Sequence, residues 1–259
     1  MRKGLLPFFR KNGKGWTIGV EYGLIFMAAV LGGAVNVLTG FGCGIVVMVF
    51  LPYLFSVTQA AAISNMISLC LITSFAIQYR KEVRFSSFPV PLLCYAATSG
   101  AAITLAARIN AAVLKPYFGL FLIAVAAYFA FAAPRIKLKA NRRTSAACAL
   151  LSGVSQGFFG ISGPPMALYF LLISETKEQY IGNLQVFSLF TSVYALAMRM
   201  VNGTVQLFML PLAAAGVAGV FAGKRVGMRI SARFDMEQMK RMVYLFLGIS
   251  GFWTFISNL

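Results

Sequence analysis

Two glycine-rich interruptions hold most of the residues whose types and spacing bear on chemistry. The first, Gly40-Phe-Gly-Cys-Gly44, breaks an apolar run between Val20 and Leu54; the second, Gly160-Ile-Ser-Gly-Pro-Pro165, ends the stretch Gly153–Pro165. Glycine costs a helix about 1 kcal/mol relative to alanine, so such clusters mark places where a helix stops. A short helix is expected to begin after each, near Ile45 and near Pro165. The first N–H groups of such a helix have no intrahelical partner and its dipole end is positive. Glycine lets a ligand approach the backbone, and Pro165 suits a first helical turn. Two such starts facing each other offer backbone donors to an oxyanion.

Neutral polar residues cluster around the same places. The candidate anion-binding set is Asn36, Thr39, Gly40, Gly42, Gly44, Asn65 and Ser68 from the first half of the chain, with Gln156, Gly160, Ser162, Gly163, Gln185 and Ser188 from the second. Ser64 and Ser155 are further hydroxyls nearby. Two plainer roles compete: glycines serve close helix packing, and Ser or Thr bonds its own helix backbone. Arg199 and Lys177 lie near segment ends, where long basic side chains snorkel to the interface. The apolar segments contain acidic residues only near their ends, the candidate Glu21 and the terminal Glu178, whereas a membrane cation site calls for carboxylates. The balance favours an anion.

Other chemistries lack material. There is no histidine, and Cys43, Cys70, Cys94 and Cys148 show no CxxC spacing, so they read as small apolar fillers. No catalytic residue, metal site or cofactor is expected. A Walker A sequence is missing from the chain, so ATP would have to be used by a partner. An intramembrane enzyme would need histidine or paired carboxylates, which argues against catalysis.

The elements that must position these residues are membrane helices. The chain is 59% hydrophobic and 11% charged, with mean hydropathy +0.81, far from a soluble composition. Apolar runs predict ten segments, near 17–39, 43–56, 58–79, 87–107, 112–132, 144–160, 164–174, 178–200, 206–223 and 238–257. The second and seventh are too short to span a bilayer, which takes about 20 residues. Of the 23 Lys and Arg residues, 19 fall in four clusters at 1–16, 80–84, 135–143 and 224–241. That is positive-inside loop patterning; nothing resembles a nucleic-acid motif, and nucleic acid is not an expected partner. Residues 1–16 lack the apolar core of a cleavable signal peptide.

The chain also repeats itself. At an offset of 120, Gly33 meets Gly153, Gly40 meets Gly160, Gln59 meets Gln179, Ser68-Leu69 meets Ser188-Leu189 and Pro91-Leu92 meets Pro211-Leu212. Asn36 and Asn65 fall opposite Gln156 and Gln185. The expected fold is an all-α polytopic membrane protein of two five-segment repeats: a basic segment 1–16, a first repeat 17–133, a basic linker 134–143 and a second repeat 144–259. An odd number of crossings per half makes the repeats inverted. Loops 80–84, 134–143 and 224–241 then lie on the cytoplasmic side. The same inversion puts the N-terminus outside, against the five basic residues of 1–16.

Paired Gly/Pro-interrupted segments in two halves are the pattern of a transporter binding site. With "GAVNVLTGFGCG" (33–44) and "GVSQGFFGISGPP" (153–165) as its most specific parts, the sequence resembles the TauE/SafE family of sulfite and organosulfonate exporters over most of its length. The resemblance implies a multi-pass protein of the bacterial inner membrane. It also implies a secondary transporter, working as an exporter, for small sulfur-containing anions such as sulfite, sulfoacetate or sulfolactate. Ser162 and the Pro164-Pro165 pair depart from the family's glycine-richer motifs. The alternative is an anion channel or a permease for another small organic anion. Expected partners are the anion and membrane lipid, with a homodimer as the open alternative to a single copy.

The charge pattern makes a topological prediction. On a background lacking the four native cysteines, Lys139→Cys is labelled by a membrane-impermeant thiol reagent only from the cytoplasmic side. Labelling from outside reverses the orientation.

Overall fold

The computed structural model describes residues 18–127 and 141–231. Among them are nine α-helices: α1 (Ile18–Thr39), α2 (Gly42–Phe50), α3 (Val57–Gln78), α4 (Pro89–Arg108), α5 (Ala111–Ala127), α6 (Arg142–Phe159), α7 (Gly163–Ile173), α8 (Lys177–Val201) and α9 (Met209–Ser231). Five are long and apolar enough to cross a membrane: α1, α3, α4, α8 and α9. The expected tenth segment, residues 238–257, lies outside the described residues, as do the basic segment 1–16 and most of the linker 134–143.

Local sequence sets the helix ends. Ser56 caps α3 in a capping box with Gln59, and Thr176 caps α8 by accepting the Gln179 N–H. Each Gln side chain returns to the backbone ahead of its helix, Gln59 Oε1 accepting from Ser56 N and Gln179 Oε1 from Glu175 N. Reciprocal bonds of this kind satisfy the orphan donors of a first turn. The short helices start earlier than expected, at Gly42 and Gly163 rather than near Ile45 and Pro165. One glycine in a left-handed conformation suffices to turn the chain at each break: Gly40 has φ +80 and Gly160 φ +70. The residues beyond each turn are therefore free to begin a new helix. α9 runs past the expected end at residue 223, taking in Lys224, Arg225 and Arg229. Lysine and arginine are good helix formers; Lys224 Nζ leans back onto Ser74 Oγ at 2.7 Å and over the Phe75 ring at 4.2 Å.

α3 and α8 form the centre and run antiparallel, since Asn65 faces Ser192 while Tyr79 faces Gly182. α1 lies along α9, and α4 along α6, each pair parallel. Both pairs approach closely because small residues face backbone. A Cβ on Gly219 would meet Phe26 O at 2.6 Å, and one on Gly227 would meet Ala34 Cα at 2.8 Å. Across the other pair, a Cβ on Gly157 would meet Ala102 C and Ile103 N, each at 2.9 Å. In lipid, where apolar burial no longer distinguishes partner from solvent, such close packing holds helices together. Phe88, Phe170 and Phe187 meet at centroid distances of 5.5–6.1 Å and tie α7 and α8 to the start of α4. Large apolar side chains such as Leu93, Leu151 and Val193 point outward, as a lipid-facing surface requires.

These contacts separate two kinds of glycine. Gly157→Val should destabilise the protein by about 1–3 kcal/mol or more through overpacking, read as a lower melting temperature in detergent micelles. Gly23→Ala, with open space around it, should be neutral or slightly stabilising.

Candidate functional site

The two breaks meet. The position a Cβ would take on Gly44 is 3.7 Å from Gly160 O, and that on Gly163 would meet Phe41 Cβ at 2.6 Å. Between them lies a cavity of about 40 Å³. Of the sequence-derived candidates, Asn36, Gly40, Gly44, Asn65, Ser68, Gln156, Gly160, Ser162, Gly163, Gln185 and Ser188 line it. Residues separated by up to 156 positions in the chain, Asn36 and Ser192, thus share one wall.

Two candidates do not reach the cavity. Thr39 Oγ1 turns onto its own helix, donating to Val35 O at 3.0 Å and accepting from Phe41 N at 3.4 Å. Gly42 packs against the Val35 and Thr39 side chains instead. Ser155 behaves similarly, donating to Leu151 O at 3.0 Å and Ser152 O at 3.1 Å. A hydroxyl within a helix has the carbonyl three or four residues back always in reach, and that contact prevails here.

The breaks place their polar groups with care. Asn36 sits one turn before the end of α1, and its carbonyl accepts the Gly40 N–H at 2.8 Å. Its side-chain Oδ1 accepts the Cys43 N–H at 3.4 Å, so the same residue closes α1 and opens α2. That leaves Asn36 Nδ2 buried with no partner. Gln185 reaches over from α8 to donate to Gly40 O at 2.8 Å, and its Oε1 is likewise buried and unpartnered. Asn65 Nδ2 donates to Ser192 O at 3.2 Å, and Ser64 Oγ to Gly44 O at 3.4 Å. In the other break, Gln156 O accepts the Gly160 N–H at 2.9 Å. Buried polar groups are normally all paired, so unpartnered ones at a cavity wall mark places where something else can bind.

The two helix starts are unequal donors. α2 opens with Gly42, Cys43 and Gly44, and Asn36 takes only the Cys43 N–H. α7 opens with Gly163, Pro164 and Pro165, and proline has no N–H to offer. Of the two helix starts, the one at α2 therefore has more backbone N–H groups to offer.

One residue was misread from sequence. Arg199 is not a snorkelling anchor; it is 1% exposed. Its Nη2 donates to Gln156 O at 2.8 Å and Gly157 O at 3.2 Å, holding the last turn of α6 against α8. The signal was its place on a helix face: Gln185, Ser188, Ser192 and Arg199 follow one another at helical spacing, which puts Arg199 on the cavity side of α8. Ser192 was missed for the same reason and lines the cavity. Lys177 is exposed at the start of α8, as a terminal lysine should be. Among the described residues, no group of three His, Cys, Asp or Glu side chains is placed to hold a metal ion.

The sequence matches the family model described as "Sulfite exporter TauE/SafE" over residues 25–254. No curated protein and no solved structure matches it. The matched span contains both helix breaks and every residue of the cavity wall, together with four of the five helices able to cross a membrane and most of the fifth, α1. The chain is a multi-pass membrane transporter rather than an enzyme, and it belongs to the sulfite exporter TauE/SafE family.

Proposed function

We propose that the chain exports small sulfur-containing anions, such as sulfite or organosulfonates, across the bacterial inner membrane, as a secondary transporter that alternates access between two inverted halves. The observation that carries this reading is the cavity between the breaks. Its wall combines amides, hydroxyls and glycine backbone with the apolar side chains of Phe41, Ile45, Ile72 and Ile161, includes no carboxylate, and keeps Asn36 Nδ2 buried without a partner. A buried donor left unpaired costs roughly 1–3 kcal/mol, and an oxyanion removes that cost. Charge-assisted bonds from neutral donors are about twice as strong as neutral ones.

Helix pairing supports the inverted halves. Shifting by 120 residues exchanges α1 with α6, α2 with α7, α3 with α8 and α4 with α9. Under that exchange the α1–α9 contact becomes α6–α4, α3–α9 becomes α8–α4, and α2–α3 becomes α7–α8, each of which occurs. The exchanged helices α3 and α8 are antiparallel, the sense that inversion requires. The caps at Ser56 and Thr176 and the turns at Gly40 and Gly160 also correspond at that offset. Halves of this kind, 17–133 and 144–259, rock about a site they share in alternating-access carriers.

Binding is tested by thermal shift on the purified protein with sulfite, sulfoacetate, taurine, sulfate, thiosulfate and chloride, because a ligand of the folded state raises stability by mass action. Sulfite or a sulfonate should give the largest shift; a larger shift with chloride rejects the substrate class. Asn36→Leu should fold and bind about 1–3 kcal/mol more weakly. Gly44→Ala adds a methyl at ordinary contact distance, 3.7 Å from Gly160 O, so the fold survives while the cavity shrinks. Uptake into proteoliposomes should then lose bulky sulfonates before sulfite.

A further inference from the structure

Arg199 has work left over after its structural role is counted. It is a cationic group buried in the last turn of α8, and among the described residues no carboxylate lies within ion-pair distance of it; the one ion pair there joins Arg84 to Glu175 at the surface. Its Nη2 serves two carbonyls, but its Nε is buried and unpartnered. The negative end of the α6 dipole offsets only part of a full charge. An unpaired buried charge is among the most costly arrangements in a protein.

The missing counter-charge has an obvious place to sit. Arg199 follows Ser192, a residue of the cavity wall, by two helical turns, about 10 Å along α8. Helical side chains lean toward the N-terminus, which brings the guanidinium back toward the cavity. Its hydrogen-bond partner, the Gln156 carbonyl, belongs to a residue that itself lines the cavity. One turn before Gln156 on α6, the Ser152 hydroxyl is also buried and unpartnered.

We propose that Arg199 is the fixed counter-charge of the transported anion, a positioning residue that sets affinity and charge preference from behind the cavity while the amides and the α2 start make the contacts. The inference rests on the anion reading above. In the empty carrier no carboxylate among the described residues compensates this charge, and binding the anion neutralises it. Occupancy therefore stabilises the buried arginine, and the arginine favours the more highly charged ligand.

Sulfite and methanesulfonate test this, because they share an SO₃ head and differ by one charge in mildly alkaline buffer. Wild type should bind sulfite more tightly; tighter binding of methanesulfonate overturns the inference. At about 10 Å and an effective dielectric of 20, removing the charge should weaken binding by roughly tenfold per ligand charge. Arg199→Gln should thus lose more affinity for sulfite than for methanesulfonate, and Arg199→Lys should restore most of the difference. A purely structural cap would lower both affinities alike, and that result also overturns it. If Arg199→Gln is not recovered folded, Arg199→Met carries the same comparison, since apolar replacements of buried charges are often tolerated. Failure of wild type to bind either anion rejects the substrate reading itself, whereas normal binding with an unchanged ratio in Arg199→Gln rejects only the role of Arg199.

Discussion

A backbone that stops being helical inside a membrane leaves N–H and C=O groups without water to receive them. Each such group costs several kcal/mol in hydrocarbon, so the protein must bring a partner to every one. In this chain the need arises twice, at Gly40 and Gly160, and the arrangement of the interior follows from how it is met. Gln185 from α8 serves the Gly40 carbonyl, Tyr180 from α8 serves the Thr39 carbonyl at 3.0 Å, and Arg199 from α8 serves Gln156 and Gly157. One long helix therefore satisfies the carbonyl ends of both breaks. It has to be central, and it has to carry polar residues on a face that an ordinary membrane helix would keep apolar.

The same constraint explains why the site is built of neutral amides. A side-chain amide can accept from one strand of backbone and donate to another, as Asn36 does by accepting from Cys43 while its Nδ2 stays unpartnered. A carboxylate could close a helix start, but it would repel an anion; a lysine could attract the anion, but it could not accept from the exposed N–H. Amides meet the structural demand and leave donors over. The hydrogen bonds that stabilise the breaks and the donors that would recognise a ligand thus come from the same side chains, which is economical in a cavity this small.

Around this polar centre the packing is close and relies on small residues. Glycines on α9 and α6 bring backbone against α1 and α4, while three phenylalanines tie α7 and α8 to the start of α4. The two pairs flank the centre that α3 and α8 form, α9 packing on α3 and α4 on α8.

Much of this was legible in the residues alone. Apolar length, the clusters of Lys and Arg, and the recurrence of Gly, Gln, Ser and Pro at an offset of 120 carried the helical membrane architecture and the correspondence of the two breaks. Those signals are local or periodic, so they survive without knowing which helix touches which. The amides Asn36, Asn65, Gln156 and Gln185 were also identifiable, because burying an amide in a membrane segment is costly enough to require a reason. Tertiary structure alone decided what each polar group is paired with. Thr39 and Ser155 turned back onto carbonyls three or four residues away, a choice settled by rotamer and space. Arg199 lay near a helix end in the sequence, where a long cation normally reaches the interface. The close approach of α6 put the Gln156 and Gly157 carbonyls beside it, and buried bonds to those carbonyls replaced the bond to water.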